Sequence, residues 1–243
     1  MTPPQPTTTQ RPPGLQGLDP GQTTSQILFY RVFYWILLSL FTVIYRARFF
    51  GTRNVPDAGG LLVISNHQSH LDPPLVGSAI RRRNMAAIAR EGLFRVPVLG
   101  WWLRMVGCIS IKEEGGDAAA VRAGIEQLKR HRIIVIFPEG SRSPDGTIKE
   151  FKRGVWLLMM RSGVPVLPAA VEGCYDAWPR GNRMPHLFGH RVGVSFGTPI
   201  PFEDLKAMGS VAGLAHLQAE VERLRADLRL RLGLPENVAT AAT

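Results

Sequence analysis

The chain has 243 residues, 45% of them hydrophobic and 20% charged, an ordinary globular balance with room for one sizeable core. Its formal charge of +10 implies attraction to an anionic partner, nucleic acid or an anionic lipid surface, unless the basic surface is merely solvated. No RNA-recognition or zinc-finger signature is present, the aromatics are not interleaved with the basic residues, and Cys108 and Cys174 lack paired spacing. A nucleic-acid platform, a disulfide framework and a zinc site are therefore disfavoured, and a reducing compartment fits.

Residues 1–25 are rich in Pro, Thr, Gln and Gly and are predicted to be a disordered tail. They lack the basic start of a signal peptide. The stretch Ile27–Tyr45, ILFYRVFYWILLSLFTVIY, follows, with Arg31 as its only charge. At about 1.5 Å per residue a helix of this length just reaches across a hydrocarbon core of roughly 30 Å. Phe29, Tyr30, Phe33, Tyr34 and Trp35 cluster near one end, as at a membrane interface, and Arg31 is placed to snorkel. Arg46, Arg48 and Arg53 follow the run, and Arg11 alone precedes it. The positive-inside rule then puts the bulk of the chain on the cytoplasmic side. Residues 26–48 are assigned to a membrane-anchoring helix. A spanning helix, a helix lying in the interface and a buried core helix all remain open.

The main domain is predicted over 49–234, with 235–243 as a flexible tail. Strands are predicted at Leu61–Ser65, Met85–Ala89, Cys108–Ile111, Ile133–Phe137, Val164–Val171 and Arg191–Phe196. Helices are predicted at Asp72–Ile80, Phe94–Met105, Gly116–His131 and Gly154–Ser162. Pro73 suits the first position of the first helix, and Val121, Ile125 and Leu128 share one face of the third. Over Ala212–Leu232, the residues Leu214, Leu217, Val221, Leu224, Leu228 and Leu232 form one helical stripe. The alternation predicts an α/β fold: a mixed, largely buried sheet flanked by helices.

Two segments carry chemistry. Ser65-Asn66-His67-Gln68-Ser69-His70-Leu71-Asp72-Pro73 lies where a buried strand gives way to a helix, the place where α/β sheets bind ligands. A hydroxyl nucleophile needs a base poised near neutral pH, which histidine supplies, and a carboxylate on the other ring nitrogen fixes the tautomer. On a straight strand His67 and Asp72 would stand about 16 Å apart, so only a tight turn unites them. His70 with Asp72 is an equally legal pair, and Asp72 before Pro73 is also a natural helix N-cap. A metal site of His67, His70 and Asp72 matches none of the common ligand spacings.

The second segment, Phe137-Pro138-Glu139-Gly140-Ser141-Arg142-Ser143, also follows a buried strand. Arg142 can grip a phosphate bidentately, with Ser141, Ser143 and backbone N–H groups assisting. A plain Pro-Glu-Gly turn with solvated charges is the alternative.

These residues resemble the glycerolipid acyltransferase family, typified by 1-acylglycerol-3-phosphate acyltransferases. Asn66 to Asp72 matches the family's first block, a histidine and an aspartate separated by four residues. Arg90-Glu91-Gly92-Leu93-Phe94, continuing through Pro97 and Gly100 to Gly107, resembles the second. Phe137 to Ser143 matches the third, and Val164-Pro165-Val166-Leu167-Pro168-Ala169 resembles the fourth. The resemblance covers roughly Gly51 to Pro201.

It implies that His67, not His70, takes the proton from an acceptor hydroxyl, that Asp72 orients His67, and that no covalent acyl-enzyme forms. It further implies that Arg90, Glu139, Gly140, Ser141, Arg142 and Pro168 serve the acceptor. The acyl donor would be acyl-CoA or acyl carrier protein, a co-substrate, with no cofactor and no metal. The product would be phosphatidate, made at an anionic membrane surface from a lysophospholipid. Two departures stand out. Arg90 and Gly92 replace the usual lysine and glutamate of the second block, and Lys112 is followed by Glu113 where the family has arginine. An ornithine-type or neutral acceptor, or a non-catalytic lipid-binding relative, is the alternative.

Overall fold

The computed structural model describes residues 24–80, 83, 85–105, 108–111 and 116–235, with the side chains of residues 26, 27, 87–90, 98, 99, 102, 105, 111, 116, 117 and 120, Arg90 and Trp102 among them, outside that description. The predicted tails lie outside it except for Thr24, Ser25 and Pro235, and so do Lys112 and Glu113. In chain order the elements are α1 (Thr24–Tyr45), β1 (Arg48–Phe50), β2 (Leu61–Ser65), α2 (Asp72–Ala79), β3 (Met85–Arg90), α3 (Glu91–Arg95), α4 (Pro97–Met105), β4 (Ile109–Ile111), α5 (Gly116–Lys129), β5 (Ile133–Ile136), α6 (Arg153–Ser162), β6 (Val166–Glu172), α7 (Cys174–Ala177), β7 (Gly193–Phe196) and α8 (Phe202–Leu232).

Seven strands form one sheet in the order β1-β7-β6-β2-β5-β3-β4. Strands β6, β2, β5, β3 and β4 run parallel, whereas β7 is antiparallel to β6 and carries β1 alongside it in parallel. The mixed α/β fold expected from the sequence is therefore present. The two-residue period of the strands sorts their side chains between two cores. Leu61, Val63, Ile133, Val135, Leu167 and Ala169 face α1 and α2, which contribute Phe41, Tyr45, Leu75 and Val76. Leu62, Ile64, Ile134, Val166 and Ala170 face the other way, toward Leu128 of α5, Leu158 and Met159 of α6, and Leu205, Leu217 and Val221 of α8. Each of the large aliphatic and Phe side chains among them contributes about 1.5–3 kcal/mol by leaving water.

The predicted stripe on α5 and the Leu214–Leu224 part of the stripe on α8 face this second core, and Leu228 and Leu232 are buried as well. Helix α8 begins ten residues earlier than its stripe, because Phe202–Met208 is a separate short helix joined to it across Gly209, whose φ of 77° and ψ of 173° are non-helical.

The N-terminal run departs from the expected layout. Helix α1 is, among the described residues, long and apolar enough to cross a membrane. It is not detached from the domain, however. Tyr34, Phe41 and Tyr45 are buried, Phe29 packs edge-on against Trp101 with centroids 5.2 Å apart, and Met85 N donates to the Tyr30 hydroxyl at 3.2 Å. Arg48, assigned to the anchor, opens β1 at the sheet's edge. The opposite face of α1 leaves Leu28, Val32, Trp35, Ile36, Leu40 and Val43 exposed.

Candidate active site

The site is built where parallel strands end together. Strand β2 lies between β5 and β6, with Ile64 in register with Ile136 and Ser65 with Ala169. The segments after β2, β5 and β6 therefore leave the sheet along one edge, as the crevice rule for α/β sheets requires. Strand β3 ends at the same edge, at Arg90, whose side chain lies outside the described residues.

Asn66 seats the first loop. Its side-chain amide exchanges two hydrogen bonds with the backbone of Val171 in β6, at 3.0 and 2.9 Å. The chain then turns tightly, and Asp72 Oδ2 closes the turn. That single oxygen accepts from the Gln68 amide at 2.6 Å, the Ser69 amide at 2.7 Å and His67 Nδ1–H at 2.8 Å. Asp72 is fully buried, and the His67 side chain keeps 18% of its surface exposed. The His67 ring also stacks on Phe137, centroids 4.1 Å apart. A carboxylate accepts only, so Nδ1 carries the proton and Nε2 presents a lone pair outward. No hydrogen bond engages Nε2 among the described residues.

Asp72 is not the helix cap that its place before Pro73 suggested. Leu71 occupies the cap position of α2 without a side-chain bond, and Asp72 is already helical. Its bonds run backward into the loop. Beside it lies Cys174, fully buried, whose thiol is held well above its usual pKa by burial first and by the Asp72 carboxylate second. Both effects favour the neutral thiol.

His70 stands outside the pair. Its ring meets Trp178 edge-on at 5.3 Å, and its pKa is lowered by desolvation first, then by Arg142 and His67. No cluster of three metal-binding side chains forms among the described residues.

The loop after β5 reads differently from the expectation that Glu139 meets substrate. Gly140, at φ 70°, closes a turn in which its amide donates to Phe137 O at 3.0 Å. That turn points the buried Glu139 inward. Its Oε1 accepts the His67 amide at 2.7 Å, and its Oε2 accepts the Lys149 amide at 3.1 Å. Burial pushes its pKa up, and the two amide bonds oppose that. Glu139 is thus a strut that holds the histidine's backbone. Ser143 is likewise committed. Its amide donates to His67 O at 2.7 Å and its hydroxyl to Asp145 at 3.0 Å. Ser141 is exposed, and its hydroxyl accepts from Lys149 Nζ at 3.2 Å.

Arg142 has no ion-pair partner among the described residues. Its neighbours are cations: Arg180 Nη1 and Lys149 Nζ both donate to Arg142 O at 3.2 Å. Its pKa is lowered by burial first and by Arg180 second, while Asp72 opposes. Arg142, Arg180 and Lys149 thus bring three cationic side chains to this loop, none of them ion-paired to a carboxylate among the described residues. Arg180 and Lys149 lie outside the sequence blocks, and no spacing marks them in the sequence. Pro168, expected from the resemblance to serve the acceptor, lies within a strand. It is buried inside β6 in register with Ile64, and its carbonyl accepts the Gly197 amide at 2.8 Å. Its ring lies against Gly197.

The sequence and the fold have counterparts in known proteins. The chloroplastic 1-acyl-sn-glycerol-3-phosphate acyltransferase of Brassica napus is 30% identical over 151 residues, 61% of this chain and 43% of that protein. The 1-acyl-sn-glycerol-3-phosphate acyltransferase of Streptococcus pneumoniae strain R6 is 27% identical over 194 residues, 78% of this chain and 70% of that protein. This chain thus spans less than half the length of the plant relative. The crystal structure of the 1-acyl-sn-glycerophosphate acyltransferase PlsC from Thermotoga maritima superposes with a TM-score of 0.69 at 24% identity, covering 85% of this chain and 84% of that one, a likeness of fold. The acyltransferase family profile matches residues 46–172. That span holds His67, Asp72, Glu139 and Arg142 together with the strands that seat them, so this chain belongs to the acyltransferase family.

Proposed function

We propose that the protein transfers a fatty acyl group from a thioester donor, acyl-CoA or acyl carrier protein, to the free hydroxyl of 1-acylglycerol-3-phosphate, giving phosphatidate. The observation that carries this reading is the His67–Asp72 contact at 2.8 Å beside the unpaired Arg142. His67 Nε2 takes the acceptor's hydroxyl proton while the oxygen attacks the thioester carbonyl carbon. The carbon–sulfur bond breaks, and the imidazolium returns its proton to the leaving thiolate. Asp72 steadies the imidazolium throughout. Proton and acyl group are both accounted for, so the mechanism calls on no metal or cofactor. Arg142, with Arg180 and Lys149 behind it, takes the phosphomonoester, which carries roughly −1.5 to −2 at pH 7. Arg90, at the end of β3, is assigned to the same headgroup.

The exposed face of α1 is assigned to a membrane, with the domain on the cytoplasmic side. Contacts from Phe29 to Tyr45 tie α1 to the domain along nearly its whole length. A helix so bound cannot cross a bilayer without drawing α2 and the sheet in with it. A helix lying in the interface, apolar face down, satisfies both its packing and its exposure. The test is to offer the purified full chain labelled acyl-CoA, or acyl carrier protein, with a panel of lyso-acceptors. Labelled phosphatidate is the expected product. Acylation of a neutral or ornithine-type acceptor alone, or of none, rejects the reading.

A further inference from the structure

The segment between α7 and β7 has no role in the chemistry above, yet it is built in detail. His186 N donates to Ala177 O at 2.8 Å, Asn182 N to Pro179 O at 3.3 Å, and Trp178 Nε1 to Asn182 O at 2.9 Å. The His186 ring lies 3.1 Å from Asp176 O through Nδ1 and stacks on His190. These bonds fold the segment into a defined loop. That loop nevertheless turns Met184, Leu187 and Phe188 into solvent, with exposures of 74, 51 and 72%. Three large apolar side chains within five residues of a folded tip form a patch of the kind that marks an interaction surface.

Charge identifies the partner. Arg180, Arg183 and Arg191 flank the tip, and no Asp or Glu occurs between Asp176 and Glu203. Apolar side chains inside a basic collar match the boundary between anionic headgroups and acyl chains. Location agrees. At one end of the loop Ser69 Oγ donates to Trp178 O at 2.9 Å, Trp178 packs on His70, and Arg180 reaches Arg142 O. At the other end Val192 N donates to Tyr45 O at 3.2 Å and Arg48 N to Val192 O at 3.1 Å, where α1 ends. The loop therefore connects the catalytic loop to the base of the apolar helix.

We infer that the loop tip, Met184–Phe188, dips into an anionic membrane surface as a lipid contact separate from α1. Resting on the proposed use of a membrane-borne acceptor, the tip serves to hold the mouth of the site against the bilayer from which that acceptor is drawn.

The test uses the full chain carrying Phe188→Cys in a Cys108→Ser background, labelled with an environment-sensitive fluorophore. Cys174 is fully buried and does not compete for label. On vesicles containing phosphatidylglycerol the emission should shift to the blue and be quenched by brominated acyl chains. Water-like emission from protein that co-sediments with the same vesicles overturns the inference. In a second arm, Met184, Leu187 and Phe188 are each replaced by Asp. Activity on vesicle-borne lysophosphatidate should fall roughly tenfold or more, and activity on a monomeric short-chain acceptor should stay within about twofold, as expected when only insertion is lost. Equal losses on both, with a lower Tm, make the loop structural and overturn it. So does a change from dimer to monomer with vesicle activity unchanged, which assigns the tip to a second copy of this chain. If the unsubstituted enzyme acylates no lysophosphatidate, the proposed function fails while the fluorophore still reports on the loop.

Discussion

The backbone amide of His67 donates to Oε1 of Glu139 at 2.7 Å, and Oε2 of the same carboxylate accepts the Lys149 amide at 3.1 Å. One buried side chain thus ties the histidine's loop to the arginine's loop. Removing it leaves two part-buried amides without their partner, at up to about 1–3 kcal/mol each. Glu139→Ala should therefore lower Tm and kcat, with KM for the phosphate acceptor little changed. A rise in KM with kcat and Tm intact would show instead that Glu139 meets the substrate.

Acid titration offers a separate check on that strut. Burial raises the Glu139 pKa above the unfolded value of about 4.3. A carboxyl raised in the folded state contributes stability that is fully present below the unfolded pKa and is lost as pH rises through the folded one. The difference in unfolding free energy between wild type and Glu139→Gln should thus shift against wild type as pH rises from about 4 through the weakly acidic range. A flat difference, from denaturant melts at each pH, would contradict the assignment.

His67→Ala should lose activity by about 10²–10⁴-fold, the range for a general base, with the fold retained because the ring keeps partial exposure. His70→Ala should be mild, since His70 makes no bond to Asp72. Steady-state assays of the two variants decide the order, and a dead His70→Ala beside an active His67→Ala reverses it.

Asp72→Ser separates the capping role from the catalytic one. A cap residue tolerates serine. The structure gives Asp72 three donors on one oxygen, two of them loop amides, and a shorter hydroxyl does not reach them all. Asp72→Ser should therefore destabilise the protein by about 1–3 kcal/mol as well as abolish activity. Thermal melts that match wild type would restore the capping role.

The proposed phosphate-binding role of Arg142 predicts a split between acceptors. A charge-assisted hydrogen bond is worth about 1.5–3 kcal/mol, so Arg142→Ala should cut kcat/KM for lysophosphatidate by roughly 10- to 150-fold. Arg142→Lys should recover part, because lysine lacks the planar fork. Arg180→Ala should act in the same direction on the phosphate acceptor alone. Equal losses on an acceptor without phosphate would place both arginines in loop structure.

Much of this protein is legible along the chain because local rules govern it. Leu61–Ser65 and Ile133–Ile136 are continuous apolar runs, which only a strand buried on both faces accepts. The stripes on α5 and α8 follow the helical period, and both turn toward the core, Leu128, Leu217, Val221, Leu224, Leu228 and Leu232 being buried. The motif His67 to Asp72 lies within one turn, so the partners of that contact are also local.

Other features depended on tertiary structure. Strand β1 is three residues long and takes its strand form by pairing with β7, so no local pattern announces it. Both faces of α1 are apolar, and only its contacts with Met85, Trp101 and the core show which face is buried. Glu139 is an ordinary turn residue in sequence. It becomes a strut because β2 and β5 are parallel neighbours whose ends share one edge. Arg180 joins Arg142 across 38 residues because β6 places the following loop at that same edge. Chain order determines which residues are available, and strand order, a long-range property of the sheet, decides which of them meet.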